Sequence, residues 1–295
     1  MQPDTSGFIT RAAALEAGYT DNELARMCRD GLLHKVAPGL FVPAETFTPL
    51  DERGRHVVRA HALTRRHKSG VVSHQSAAAV HGLDLWDTDL TRVHLTVPRA
   101  TGGSRKTDRH IHCRHNIQAI QVKGIPTSSP ADTVVDCART LDLDHAVVIG
   151  DSALRKTSLI KPQLVDRLDG AAGMTGIDAA KRAVDLMDGL SESPGESLSR
   201  LRFLQHGIPM PVLQHSFPEF RVRVDFYWPK YRIIGEFDGM TKYKGSGAAY
   251  AEEKDREDAL RSRGFLFIRW RWPHLATFHR VVEMFRRAVE TASRR

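Results

Sequence analysis

The chain has too few cysteines to be held together by them. Cys28, Cys113 and Cys137 are three in 295 residues, an odd count at unrelated spacings, which excludes a disulfide framework and a cysteine-based structural zinc site and leaves them as buried thiols. No run approaches the roughly eighteen consecutive apolar residues of a membrane span. The opening MQPDTSGF has neither the basic nor the apolar region of a signal peptide, so the reading is a soluble, cytoplasmic protein with no membrane partner. Acidic residues are in deficit: 35 Asp and Glu against 43 Lys and Arg give a formal charge of +8 and a pI near 9.6. A polyanion suits such a surplus, because each neutralised phosphate releases condensed counterions. The sign becomes informative only where the basic residues sit on a recognisable reading element.

What is present is ordinary globular material, 41% hydrophobic and 26% charged, long enough for two or three domains. The pattern predicts an α/β (α+β) multidomain chain divided into 1–48, 49–190 and 191–295. In the first segment, FITRAAALEA (Phe8 to Ala17) puts Phe8, Ala12 and Leu15 on one apolar face and predicts a short helix stopped by Gly18. Thr20-Asp21-Asn22-Glu23 reads as a reciprocal capping box opening a second helix, with Leu24, Met27 and Cys28 inward, Asn22, Arg26 and Arg29 outward, and Gly31 at its end. Leu32 to Val36 and Leu40 to Val42 are two short strands around Ala37-Pro38-Gly39. Helix, helix, hairpin is a minimal winged helix, whose second helix enters the major groove while the hairpin meets the backbone. It predicts Asn22, Arg26, Arg29, His34 and Lys35 as contacts to double-stranded DNA, with no cofactor required for that binding. The alternative is a protein-docking winged helix whose arginines merely solvate a face.

After a Pro- and Thr-rich linker, Pro43 to Leu50, a basic helix is predicted from Glu52 to His67, and alternating alanine-rich and β-branched segments predict a mixed α/β middle domain. His110-Ile111-His112-Cys113-Arg114-His115 has the residue types of a transition-metal site. On a strand, however, His110 and His112 share a face and Cys113 points away, so the run does not converge on one ion and is not read as a metal site. His74 beside Ser73 and Ser76 lacks an orienting acid for nucleophilic catalysis, and Ser73 is read as a helix cap.

Ser73-His74-Gln75-Ser76-Ala77-Ala78 with His81-Gly82-Leu83, then Val93-His94-Leu95-Thr96-Val97-Pro98, then Gly124-Ile125-Pro126-Thr127 with Asp132-Thr133-Val134-Val135-Asp136, and Asp151-Ser152-Ala153-Leu154-Arg155, resemble the AbiEi family of type IV antitoxins. With the winged helix the resemblance covers about two thirds of the chain. It implies an antitoxin that represses its own operon, reading an inverted repeat in its promoter, and counteracts a nucleotidyltransferase-type toxin encoded nearby. Ser191 to Glu196 is a break, followed by a helix from Glu196 to His206, strands Val222 to Trp228 and Arg232 to Asp238, a charged helix from about Tyr250 to Arg263 and a strand Phe265 to Trp270. This segment, with its RVDFYWPKYRIIGEFDG core, resembles the very-short-patch-repair branch of the restriction-endonuclease-like fold. The resemblance implies a Mg²⁺-dependent DNA endonuclease using Glu196, Asp225, Glu236, Asp238 and Lys254, with Asp225 and Glu236 as metal ligands. The position that carries a lysine in the common pattern is Asp238 here, so Lys242, Lys244 or Lys254 would have to replace it, or the acids serve in contacts without turnover. The aromatic series Phe265, Phe267, Trp270 and Trp272 reads as core. Three functions follow: a DNA-binding regulator and antitoxin, a metal-dependent endonuclease, or a scaffold that sequesters a toxin.

Overall fold

The computed structural model describes residues 1–99, 101–239 and 256–294, and it divides into two compact units, Met1–Leu141 with Pro162–Ala180, and Asp142–Lys161 with Lys181–Arg295. Both mix helices with sheets, a multidomain α/β architecture. No helix among the described residues is long and apolar enough to cross a membrane.

The first unit opens with β1 (Ile9–Thr10), α1 (Arg11–Glu16), α2 (Asp21–Arg29), β2 (Leu33–Ala37) and β3 (Leu40–Pro43). The strands form an antiparallel sheet in the order β1-β3-β2. Sequence periodicity starts the first helix at Phe8, but Thr10 adopts extended backbone and accepts a hydrogen bond from the Ala13 amide, so the helix begins at Arg11. Ile9 thereby joins the sheet opposite Phe41. The capping box of α2 is formed: Thr20 Oγ1 accepts from the Glu23 amide at 3.2 Å and Glu23 Oε2 accepts from the Thr20 amide at 2.7 Å. Ile9, Ala14, Leu24, Leu33 and Phe41 close a small core, with Met27 and Cys28 packed against it.

The linker region contains a short helix, α3 (Ala44–Phe47), and the basic helix is α4 (Glu52–Arg66), which buries His56, Ala60 and Leu63. A six-stranded sheet follows, ordered β6-β7-β5-β4-β9-β8, from β4 (Val71–Val72), β5 (Val93–Val97), β6 (Ser104–Arg105), β7 (Arg109–Cys113), β8 (Ala119–Val122) and β9 (Ile125–Ser128). Between β4 and β5 lies α5 (His74–His81), and α6 (Pro130–Thr140) follows β9. Leu95 and Ile111 alternate inward on β5 and β7 to a core shared with Ala60, Leu63, Ala77 and Val80. Next come α7 (Leu143–Lys156), α8 (Lys161–Asp169) and α9 (Ile177–Leu186). Cys137 is buried; Cys28 and Cys113, expected buried, are half-buried free thiols.

In the second unit α7 packs against α10 (Pro194–Gln205) through a buried ion pair, Asp151 with Arg200 at 3.2 Å. A four-stranded sheet, β10 (Val212–Phe217), β11 (Val222–Trp228), β12 (Ile233–Phe237) and β13 (Leu266–Trp270), runs antiparallel except for the parallel β12–β13 pair. The crossover carries α11, described over 256–262, and α12 (Trp272–Ala276) and α13 (His279–Ser293) complete the unit. Phe203, Phe226, Trp228 and Trp270 interlock edge-to-face and stacked in its core. Phe265 and Trp270 are core as expected, while Phe267 and Trp272 are half-buried.

Candidate functional site

Three groupings bring chemistry-bearing side chains together. In the N-terminal segment, Asn22, Arg26 and Arg29 are exposed at i, i+4 and i+7, one stripe of α2 opposite buried Leu24, and Lys35 is exposed on β2. His34 stands apart from them: its Nε2 meets Thr48 Oγ1 at 3.2 Å and its ring packs on Phe47 at 4.9 Å.

The second grouping is a pocket of about 760 Å³ in the C-terminal unit, walled by Glu196, Gln214, Arg223, Asp225, Phe237 and Trp272. Glu196 enters it from the first turn of α10. Its carboxylate accepts from Ser193 Oγ at 2.8 Å, the Glu192 amide at 2.9 Å and Gln214 Nε2 at 2.8 Å, so it is held in one orientation. Burial raises its pKa, the charge of Asp225 raises it further, and the hydrogen bonds oppose both. Asp225 projects from β11 and accepts from the Phe237 amide at 2.9 Å. Gln214 is bracketed by the register pairs Leu213↔Phe226 and His215↔Val224, and its φ is +49°. A left-handed backbone at a residue other than glycine is strained, and here it accompanies the amide that orients Glu196.

The structure therefore brings Glu196 and Asp225 together. Glu236 is buried on β12 beside Phe237, while Asp238 is drawn to Arg269, 3.7 Å away. Lys242, Lys244 and Lys254 lie outside the described residues. Gln214 was not among the sequence candidates; an amide on a polar edge strand carries no motif.

The third grouping is a histidine cluster in the first unit. His74, His94 and His112 each offer a ring nitrogen, and these atoms lie within 4.8 Å of one another, the one such trio of His, Cys, Asp or Glu donors among the described residues. This is a potential metal-coordinating triad. His94 and His110 are register partners across the parallel β5–β7 pair, with His112 two residues further on β7. His94 Nδ1 and His112 Nε2 are 3.0 Å apart, and the His74 ring stacks on that of His112 at 3.8 Å. His110 is adjacent, its ring 4.0 Å from that of His112. Burial drives His94 and His112 down to about 3 and lowers His74 well below its usual value, so all three are neutral near pH 7. Ser73 stands at the N-cap of α5 but makes no capping bond, a correction to its expected role: its hydroxyl accepts from Thr96 Oγ1 at 2.8 Å and meets His74 Nδ1 at 2.9 Å. His74 itself has a φ of +54°.

No protein-family model matches the chain. It is 30% identical over 200 residues to the uncharacterized protein Rv2248 of Mycobacterium tuberculosis strain H37Rv and to the uncharacterized protein MT2308 of strain CDC 1551 / Oshkosh, an alignment covering 65% of this chain and 71% of each of those. The chain belongs to their family. It is also similar to the crystal structure of the RV2827C protein from Mycobacterium tuberculosis, at 15% identity over 76% of this chain and 88% of that one, but with a TM-score of 0.42 the likeness carries no argument.

In this member of the family, the run from His110 to His115 contributes His112 to the trio. The partners come from elsewhere: His94 from the neighbouring strand and His74 from the start of α5. The signal that points to them is alternation, since VHLTV and RHIHC both put histidine on the face opposite their buried Leu95 and Ile111.

Proposed function

We propose that the C-terminal unit hydrolyses phosphodiester bonds of DNA with a divalent metal ion held at the Glu196–Asp225 pocket. The observation that carries this reading is the meeting of two carboxylates, one from a helix and one from a strand, at an edge of a mixed sheet preceded by α10 and closed by a parallel β12–β13 pair. The resemblance to restriction-endonuclease-like enzymes supports the reading in kind, with Glu196 beside Asp225 where that resemblance implied Glu236. The donors are oxygens only, which suits Mg²⁺. Burial, and after it the charge of Asp225, raises the Glu196 pKa, and a bound cation would offset that repulsion. When bound, the ion supplies a water of lowered pKa and charge stabilisation at the phosphate.

The chain's own groups have distinct tasks. Ser193 and Gln214 fix the Glu196 carboxylate, and the Phe237 amide fixes that of Asp225. Arg223, paired with Glu192 at 2.7 Å, stands at the rim, where a phosphate oxygen can take the place of Glu192. At the position of the usual lysine, the neighbouring cation is Arg269, which faces Asp238. Incubation of supercoiled plasmid with millimolar Mg²⁺ or Mn²⁺ should give nicked and linear DNA, and Asp225→Ala and Glu196→Gln should abolish it. Intact plasmid with both ions sinks the reading.

A second reading is favoured by the exposed stripe Asn22, Arg26 and Arg29 on a capped helix with Lys35 on the hairpin. In it the winged helix binds an inverted repeat in the protein's own promoter, and the chain is an autorepressor and antitoxin counteracting a nucleotidyltransferase-type toxin, as the resemblance to type IV antitoxins implies. A footprint upstream of its own gene should disappear in the Arg26→Ala, Arg29→Ala double variant. An unchanged footprint refutes this use of α2. The two readings are compatible on one polypeptide.

A further inference from the structure

The histidine cluster belongs to neither reading. We infer that His74, His94 and His112 form a binding site for a divalent transition-metal ion of the zinc class, separate from the carboxylate pocket. The first argument is convergence. Two nitrogen donors each about 2.1 Å from one ion are separated by about 3.0 Å at a right angle and about 3.4 Å at the tetrahedral angle. His94 Nδ1 and His112 Nε2 are already 3.0 Å apart, and one ring nitrogen from each of the three histidines lies within 4.8 Å of the others. Closing the trio calls for the His74 ring to draw toward the other two along its stack with His112.

The second argument is the surrounding shell. A metal-bound imidazole commonly has its other nitrogen engaged, which fixes tautomer and orientation. His74 Nδ1 meets Ser73 Oγ, and Ser73 in turn accepts from Thr96, leaving His74 Nε2 for a ligand. The His94 backbone amide donates to Ser76 Oγ, and Ser76 is held by buried His56, so β5 is pinned where the ring enters. Ser73 thus gives up the capping bond of α5 for the hydroxyl chain to His74, and His74 occupies a left-handed backbone conformation. Such strain is spent where the geometry of one side chain matters.

The third argument is donor chemistry. Imidazole is a borderline ligand that suits Zn²⁺, Ni²⁺ or Cu²⁺, whereas Mg²⁺ takes oxygens in a strict octahedron. Two cations lie near the cluster: Arg139, paired with Asp136 at 3.3 Å, and Arg105, which acts on His94. Three protein ligands would leave room for a further donor, and the His110 ring is 4.0 Å from that of His112.

The test uses the full chain without a histidine tag, in Zn²⁺ titration calorimetry at pH 7.5 and in Co²⁺ titration, where d–d absorption reports coordination geometry. One Zn²⁺ per chain should bind in the presence of millimolar Mg²⁺, and Co²⁺ should develop visible bands. His112→Gln should weaken binding by more than the roughly 10–100-fold typical of losing an outer-shell partner. His74→Asn should do the same without backbone conflict, because asparagine tolerates the left-handed region; it is the second variant should His112→Gln fold poorly by circular dichroism. Glu196→Gln should leave the stoichiometry unchanged. Absence of stoichiometric Zn²⁺ binding, displacement by Mg²⁺, or affinity unchanged in both histidine variants overturns the inference and returns the cluster to a packed polar layer.

Discussion

Gly195 tests how the carboxylate pocket is built. It lies in the first turn of α10, immediately before Glu196, and its φ is outside the left-handed region. On backbone grounds alone alanine would be welcome there, stabilising by about 0.4–1 kcal/mol through the unfolded chain. The packing says otherwise. A Cβ at Gly195 would stand 1.9 Å from Phe237 Cε1, 2.3 Å from Cζ and 2.5 Å from Cδ1. Phe237 is buried, and Trp272 abuts its ring edge-to-face at 5.2 Å, so the ring cannot simply swing away. Overpacking of this kind costs about 1–3 kcal/mol, leaving Gly195→Ala a net loss of about 1–2 kcal/mol. Three of the four tryptophans are in this unit, so urea unfolding followed by tryptophan fluorescence reads the effect where it occurs. Phe237→Leu in the same chain should recover at least half of the loss, a non-additivity expected of residues in direct contact. A midpoint for Gly195→Ala equal to or above that of the parent would refute the claim that α10 approaches β12 this closely.

Thr20→Ala removes one half of the capping box and should cost α2 about 0.5–2 kcal/mol, read as earlier hydrogen exchange of the α2 amides; unchanged protection there would show the cap to be idle. Asp151 is pushed up to about 6 by burial in spite of Arg200 at 3.2 Å, so the attraction does not offset desolvation, yet Asp151→Ala should cost about 3–5 kcal/mol by stranding the guanidinium. Asp151→Leu with Arg200→Met should then be milder than Asp151→Ala alone in urea unfolding, and a harsher result counts against the account. His56, fully buried with Nδ1 on the Leu90 carbonyl and Nε2 on Ser76, is lowered by burial from the ordinary 6.5 to about 4. The unfolded chain therefore takes up that proton first. Stability is intact above about 6.5 and falls by about 1.4 kcal/mol per pH unit for this ring as the pH drops toward 4. Urea midpoints unchanged between pH 7.5 and 4.5 would contradict this burial.

Local signals were legible where a segment's own chemistry decides its structure. Thr20 and Glu23 cap α2 because each bond is made within four residues, and Val222 to Trp228 forms the strand its β-branched and aromatic residues predict. The misses are non-local. β10 reads VLQHSF, polar along much of its length and bent at Gln214, so its alternation is hidden until β11 pairs with it. Gly195 reads as punctuation in Ser-Pro-Gly-Glu, but it sits inside a helix and is demanded by the Phe237 ring. Helix α7 was foreseeable as a helix, whereas its partner was not: Asp151 and Arg200 are 49 residues apart, and no composition shift marks Asp142 as the start of a segment that packs with the C-terminal unit.

The two candidate sites differ in the same way. Glu196 and Asp225 were named because a sequence block resembles a known core, and folding then supplied what the block does not contain, the Gln214 amide and the Phe237 N–H that aim them. For the histidines, one-dimensional spacing within the run from His110 to His115 speaks against a site. The parallel register of β5 on β7 sets His94 beside His110 and His112, and the turn into α5 adds His74. Donor chemistry keeps the sites independent. An oxygen-only pocket favours a hard ion that exchanges readily with water, and an imidazole trio favours a borderline ion that Mg²⁺ does not displace. A chelator strong for zinc and weak for magnesium should therefore strip the histidine cluster while leaving Mg²⁺-supported plasmid cleavage intact, so the loss of one activity does not imply the loss of the other.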